Sequence, residues 1–332
     1  MRNAWRIPVV PKAALVTSLL VAGGALGGCS APAAEPPPPR TKAATSAPGT
    51  PRAQTATPAV PQVETAAVRR ELRALEASFD GRIGAYAIDT ATGRTVGHRA
   101  GERFPLASTF KAVVAAAVLH KARTSDPGLL KRVVRWAAAE VEPYSPTTQK
   151  HVKSGLTIGR LCEAAITQSD NTAGNILLKE IGGPAGLTRY FRSLGDEVSR
   201  SDRWEPEMNR WKPGEKRDTT SPAAMAHGFR RLTAGDALNA KDQARFNAWL
   251  LANKTGGDRI RAGLPSTWKV GDKTGTGGTY GTANDVAVIW PAKAAAPIVM
   301  AVYTSRKAAE ADAEEEVLAK TAAILVRALG EN

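Results

Sequence analysis

Strand-like alternation lies near both ends of the foldable part of this chain, and helical patterning fills the span between. Arg82-Ile83-Gly84-Ala85-Tyr86-Ala87-Ile88-Asp89 alternates with period two, and a turn at Thr92-Gly93 leads into a second strand. Three more runs, Trp268 to Thr276, Asp285 to Trp290 and Pro297 to Thr304, follow far downstream. Val68, Leu72, Leu75 and Phe79 mark one helical face before the first strand. A closing helix runs from Ala313 to Leu329, with Gly330 at its end. Strands at both ends predict one sheet flanked by terminal helices, with a helical domain inserted between its halves. The expected folded region is 65–332: residues 65–105 and 255–332 form the α/β part, and 106–254 the helical part.

What precedes it is of a different kind. Residues 1–28 read as an export signal: a positive start, then the uncharged stretch Ala13 to Leu26, too short to span a bilayer. It ends in Leu26-Gly27-Gly28-Cys29, which resembles a bacterial lipobox, with Cys29 as the lipidated residue. Plain secretion, with cleavage after Ala31-Pro32-Ala33, is the alternative. Residues 29–64 read as a linker. Nine of the 22 prolines fall in 30–61, so this segment cannot bury a core and should be extended and disordered, reaching ~100 Å at ~3.1 Å per residue.

The net charge is +14, and loss of Arg2, Arg6 and Lys12 with the signal lowers it to +11. The basic residues are scattered rather than blocked, which argues against a nucleic-acid partner. Only Cys29 and Cys162 are cysteines. Cys162 lies in an apolar run and reads as a small buried hydrophobe. His98, His120, His151 and His227 show no metal-ligand spacing, so no zinc site is expected.

Four short motifs carry the chemistry. Ser108-Thr109-Phe110-Lys111 precedes the apolar run Ala112 to Leu119, which reads as a buried helix. Pro105 just before it puts Ser108 in the first turn, where free N–H groups and the helix dipole favour a developing oxyanion. At i and i+3 the serine and lysine share a face, so the amine can help take the serine proton. A second copy, Ser266-Thr267-Trp268-Lys269, lies on a strand-like segment where the two would point apart. Ser169-Asp170-Asn171 follows a helical stretch. Lys273-Thr274-Gly275 ends a strand, whereas Lys254-Thr255-Gly256 reads as a loop. Between them Asp202-Arg203-Trp204-Glu205-Pro206-Glu207-Met208-Asn209 opens a non-periodic segment running to Pro222. Arg203 and Asp218 could close it as an Ω-loop.

These motifs, in this order, resemble the class A serine β-lactamases over roughly Thr65 to the C-terminus. The resemblance implies that Ser108 is the acylated nucleophile and Lys111 its partner. It implies that Ser169 relays a proton to the leaving ring nitrogen and that Asn171 binds the substrate's side-chain amide. Glu205 with Asn209 would hold the hydrolytic water. Lys273 and Thr274 would bind the substrate carboxylate, and the N–H groups of Ser108 and Thr276 would form the oxyanion hole. Tyr144 resembles the family's cleft-wall aromatic. Either Lys111 or Glu205 could be the acylation base. The implied partner is a small-molecule β-lactam, with no metal or other cofactor, in a monomer touching a membrane only through its anchor.

The chain departs from the family's pattern in two ways. Thr282 stands where many members carry a carboxylate-binding arginine, and Arg259 matches the position from which other members supply it. The partner position for Cys162 is Ala115, and Ala107 and Gly277 are not cysteines, so two disulfides found in some members are absent. Thr276 is shared with broader-spectrum members, which leaves the spectrum open. Two rivals remain: a penicillin-binding DD-peptidase, which lacks the Glu205 device, and a non-catalytic penicillin sensor.

Overall fold

The computed structural model describes residues 66–292 and 294–331. The expected export signal at 1–28, its Cys29 and the linker at 29–64 lie outside the described residues.

Helix α1 (Ala66–Phe79) leads into strands β1 (Gly81–Asp89) and β2 (Thr95–His98). Far along the chain come β7 (Lys269–Thr276), β8 (Ala283–Trp290) and β9 (Ile298–Arg306), then helix α8 (Glu316–Ala328). These five strands form one antiparallel sheet in the order β2-β1-β9-β8-β7. Ala85 pairs with Val302, so the sheet closes between strands from opposite ends of the chain.

Period-two alternation sorts the sheet residues onto two cores. Val286, Val288, Val299, Ala301 and Tyr303 face the helical side, whereas Ala287, Ile289, Ile298, Met300 and Val302 face α1 and α8. Strands β8 and β9 are buried on both faces and read as nearly continuous apolar runs. On α1 the buried positions are Val68, Leu72, Glu76 and Phe79, with Leu75 only half-buried. Glu76 is acceptable inside because it accepts hydrogen bonds from Ile83 N at 2.8 Å and Arg99 Nε at 2.6 Å.

The intervening chain is helical: α2 (Phe110–Thr124), α3 (Ile158–Thr167), α4 (Asn171–Glu180), α5 (Gly183–Ser193), α6 (Pro222–Thr233) and α7 (Ala240–Leu251). Two short ladders also occur. Strand β3 (Phe104–Pro105) pairs with β6 (Thr219–Thr220), and β4 (Val133–Val134) with β5 (Leu156–Thr157). Helix α2 is buried all round from Phe110 to Leu119, as expected of a helix that is apolar on every face. Each valine or leucine so buried contributes about 1.5–3 kcal/mol. The helix is thereby fixed in the middle of the molecule, with its N-terminus at the edge of β7.

Among the described residues no helix is long and apolar enough to cross a membrane. Cys162 is buried and unpaired, and burial pushes its thiol up.

Candidate active site

Ser108 sits in a 3₁₀ turn, Ala107–Thr109, that runs directly into α2. Ala107 has φ +42°, a left-handed conformation that costs a non-glycine residue about 1 kcal/mol or more. Seven non-glycine residues among those described have positive φ, and four of them, Ala107, Tyr144, Ser169 and Asp218, belong to this site or to the loop that closes it. Backbone strain is therefore concentrated where side chains must be aimed.

Lys111 is one turn on, fully buried, and its Nζ lies 2.8 Å from Ser108 Oγ. The same Nζ reaches Ser169 O at 2.8 Å, Asn171 Oδ1 at 2.5 Å and Glu205 Oε1 at 2.9 Å. Ser108 Oγ is itself 3.3 Å from Glu205 Oε1. Burial pulls the Lys111 ammonium below its ordinary pKa, and the Glu205 carboxylate opposes that pull.

The α3–α4 loop supplies the second wall. Asp170 caps α4 through Ala173 N and also accepts from Thr147 N, Thr148 N and Thr148 Oγ1, which holds the Tyr144 segment against it. Asn171 donates to Pro143 O at 2.8 Å, and its N–H to Tyr144 O at 3.1 Å. Tyr144 is 64% exposed, so its ring stands at the mouth of the cleft.

Strand β7 is the third wall. Lys273 is fully buried, and its Nζ donates to Ser169 Oγ at 3.0 Å and Thr274 O at 2.8 Å. Burial, then Lys111 and Arg259, pull Lys273 well below an ordinary lysine, while Asp272 and Asp285 pull the other way. Burial in turn raises both of those carboxyl groups, and Asp272 adds to the rise at Asp285. Gly275 allows a close approach: a Cβ there would stand 3.0 Å from Leu106 O and 3.2 Å from Ala107 Cβ, so those neighbours would have to give by a few tenths of an ångström. That close approach brings the end of β7, and with it Thr276, against the Ser108 turn.

Glu205 arrives on the loop between α5 and β6. Asn175, one turn beyond Asn171 on α4, grips its backbone at both ends: Glu205 N donates to Asn175 Oδ1 at 3.0 Å, and Asn175 Nδ2 donates to Glu205 O at 2.9 Å. Asn209 Nδ2 donates to Glu205 Oε2 at 2.5 Å. The loop is tied to the β7–β8 turn by Gly278 N to Asn209 O at 3.1 Å and Thr279 Oγ1 to Trp211 O at 2.6 Å. At its base Arg203 Nε donates to Asp218 Oδ2 at 2.5 Å.

Arg259 is neither a solvent-facing arginine nor a free one. All five of its N–H donors have protein partners. Nη1 donates to Gly275 O at 2.9 Å and Asn284 O at 2.8 Å, and Nη2 to Thr276 Oγ1 and Glu315 Oε1 at 2.7 Å each. Nε donates to Glu315 Oε1 at 3.2 Å. Thr282 is buried and donates its hydroxyl to Thr279 O at 3.0 Å. Ser266 and Thr267 form an exposed turn before β7 rather than part of the strand, and bring no lysine to a serine.

Together Ser108, Tyr144, Ser169, Asn171, Asn209, Lys254, Thr255, Arg259, Thr274, Thr276 and Glu315 line a cleft of about 490 Å³. A groove of about 590 Å³ beside Arg82 and Lys307 is larger but brings no nucleophile to a base. Lys254 and Thr255 belong to the copy of K-T-G that reads as a loop in sequence. It is a loop, but Thr255 Oγ1 lies 2.5 Å from Thr274 Oγ1. Asn175 has a sequence signal, an asparagine four residues after Asn171 on one helix face. Glu315 has none.

The beta-lactamase enzyme family matches residues 67–329. The chain is 51% identical to the Beta-lactamase AST-1 of Nocardia asteroides over 77% of this chain and 82% of that one. It is 49% identical to a carbapenem-hydrolyzing beta-lactamase KPC of Klebsiella oxytoca over 78% and 87%. Among solved structures, a beta-lactamase from Streptosporangium roseum is 67% identical with TM-score 0.79, covering 80% of this chain and 99% of that one. The class A beta-lactamase reconstructed for the last common ancestor of Gram-negative bacteria is 52% identical with TM-score 0.76, covering 80% and 100%. The chain belongs to the class A β-lactamases. It is a β-lactam hydrolase, and that activity confers resistance to β-lactam antibiotics. The antiparallel sheet with its inserted helices is the fold of this class A family.

Proposed function

We propose that this class A β-lactamase opens penicillins and cephalosporins through an acyl-enzyme on Ser108. One observation supports this above the rest: Ser108 Oγ, Lys111 Nζ and Glu205 Oε1 lie mutually within 3.3 Å. Lys111 or Glu205 takes the serine proton as Oγ attacks the ring carbonyl. The oxyanion that forms is met by the N–H groups of Ser108 and Thr276. The C–N bond breaks, and Ser169, which accepts from Lys273, passes a proton to the ring nitrogen. Asn171 holds the side-chain amide and Tyr144 walls the cleft mouth. Lys273 and Thr274 hold the ring carboxylate. Arg259 supports that site through its charge and through the Thr276 hydroxyl it fixes. Water activated by Glu205 and positioned with Asn209 then attacks the ester, and Ser108 leaves with its proton restored.

The deciding experiment is turnover of a chromogenic β-lactam beside the mass of the enzyme. Wild type should turn over many equivalents. Glu205→Ala should accumulate an adduct of one intact substrate on Ser108, outliving the wild-type ester by roughly 10²–10⁴-fold. A DD-peptidase or a sensor would hold the adduct in wild type already, and Glu205→Ala would change little.

The reading extends to an exported monomer, lipid-anchored at Cys29, on the strength of the lipobox-like Leu26-Gly27-Gly28-Cys29. Cys29→Ala should move the enzyme from membrane to medium at unchanged specific activity. Continued membrane fractionation of that variant would sink the anchor.

A further inference from the structure

Among the described residues, the cleft contains one cation with nothing to hold. Lys111 and Lys273 are buried and engaged, and every donor of Arg259 is taken. Lys254 lines the same cleft and is exposed, and its ammonium makes no hydrogen bond or ion pair among the described residues.

Its place is built rather than incidental. Lys254 N donates to Thr167 O at 3.0 Å, two residues before Ser169. Its neighbour Thr255 is bonded to Thr274 at 2.5 Å, and the buried Asn253 accepts from Thr255 N at 3.2 Å and Thr255 Oγ1 at 2.9 Å. Residue 254 is therefore pinned between the Ser169 wall and the Thr274 strand. That is the end of the cleft assigned above to the ring carboxylate. Of the acids, Glu315 lines the same cleft but its carboxylate is held by Arg259. Glu142, two residues before Tyr144, is close enough to Glu207 and Glu205 that their charges add to burial in raising its carboxyl group. The carboxylates of Glu142, which reaches Asn175 Nδ2 at 3.5 Å, and of Glu207 thus lie beyond the cleft's Tyr144 side, while its unpaired ammonium stands on the Thr274 side.

We propose that Lys254 selects β-lactams carrying a second anionic group on the ring substituent beside the ring carboxylate. The inference rests on the assignment of Lys273 and Thr274 to that carboxylate. An acid placed on the acylamino side chain, by contrast, would approach Glu142 and Glu207.

The test compares three cephalosporins at low ionic strength: one with a neutral ring substituent, one with a carboxylate on that substituent, and one with a carboxylate on the acylamino side chain. Lys254→Ala should lower kcat/KM for the second about fivefold more than for the other two, the size of an exposed ion pair. The excess loss should appear in KM and shrink in added salt. Lys254→Arg should keep most of the preference. Equal changes for all three substrates would overturn the inference, as would a loss confined to the side-chain acid. A wild type that turned over none of the three would sink the lactamase reading and this inference together. Turnover with equal losses would strike Lys254 alone.

Discussion

Asp218 Oδ2 lies 2.5 Å from Arg203 Nε, and the carboxylate is fully buried. Its other oxygen accepts from Asp202 N at 2.7 Å and Arg203 N at 2.9 Å. One side chain therefore closes both ends of the loop that carries Glu205. Losing Arg203 leaves the buried Asp218 charge without its ion-pair partner, at a cost of about 3–5 kcal/mol. Arg203→Ala and Asp218→Ala should each slow deacylation more than acylation in single-turnover measurements. The double variant should cost little more than either single change. Losses that simply add would mean the two side chains act independently.

The guanidinium of Arg259 spans two strands and the Thr276 hydroxyl, and a lysine cannot reproduce that planar fork. Arg259→Lys should therefore lose nearly as much kcat/KM as Arg259→Ala on a carboxylate-bearing β-lactam, roughly 10- to 150-fold, the equivalent of about 1.5–3 kcal/mol. Both variants should also melt at lower temperature, because Gly275 O and Asn284 O lose their donor. Full activity in Arg259→Lys would show that charge alone suffices.

Lys273 should set an alkaline limit. Its ammonium is the form that binds a carboxylate, and its pKa is pulled below that of an ordinary lysine by burial and by Lys111 and Arg259. The charge is then lost at a lower pH than usual, and kcat/KM should fall as pH rises through that depressed value. An arginine does not titrate in this range, so in Lys273→Arg the alkaline limb should move to higher pH. A limb that stays in place would assign it to another group, such as Lys111.

Glu76 should contribute to acid stability. Burial raises its pKa, but His98 Nε2 lying 3.3 Å away, with hydrogen bonds from Arg99 and Ile83 N, outweighs that and brings it down to about 2. A depressed carboxylate stabilises the fold fully above the ordinary carboxylate range, and the contribution is lost as pH falls through about 2. Glu76→Gln should cost about 1.5–3 kcal/mol at neutral pH. Denaturant titrations at neutral pH and near pH 2 should show that difference closing. A gap of equal size at both would mean that Glu76 acts through packing.

How far the sequence could be read follows from where each residue's partners lie. Ser108 and Lys111, or Ser169 and Asn171, sit within one turn of each other, so spacing alone brings them together. The strands at both ends announced the sheet because period-two burial is written locally. Arg259 was different. Its partners come from β7, β8 and the approach to α8, and no local pattern says that all five donors will be consumed. Glu76 interrupts an apolar face whose spacing favoured Leu75, and its burial depends on His98 and Arg99 of the next hairpin. Asn175 and Thr255 act only through contacts with Glu205 and Thr274 far away in the chain. Motifs marked the groups that react and, through Arg203 and Asp218, the closure of the Glu205 loop, while the contacts of Arg259, Asn175 and Thr255 emerged only with the tertiary structure.

The pairing of β1 with β9 also sets a timetable for the molecule. Residues 81–89 are made early, but the ladder that completes them lies at 298–306. Until nearly the whole chain has been synthesised, β1 has only the short β2 beside it, and the faces of the sheet cannot close over α1. Helix α2 can form in that interval, and β7, which seats the Ser108 turn, can pair with β8, but that hairpin joins β1 only through β9. Such long-range closure is slow and leaves apolar strand surface open meanwhile. Loss of β9 and α8 would leave every catalytic side chain in place in the sequence but its strands as two separate hairpins, β1-β2 and β7-β8, with nothing to join them.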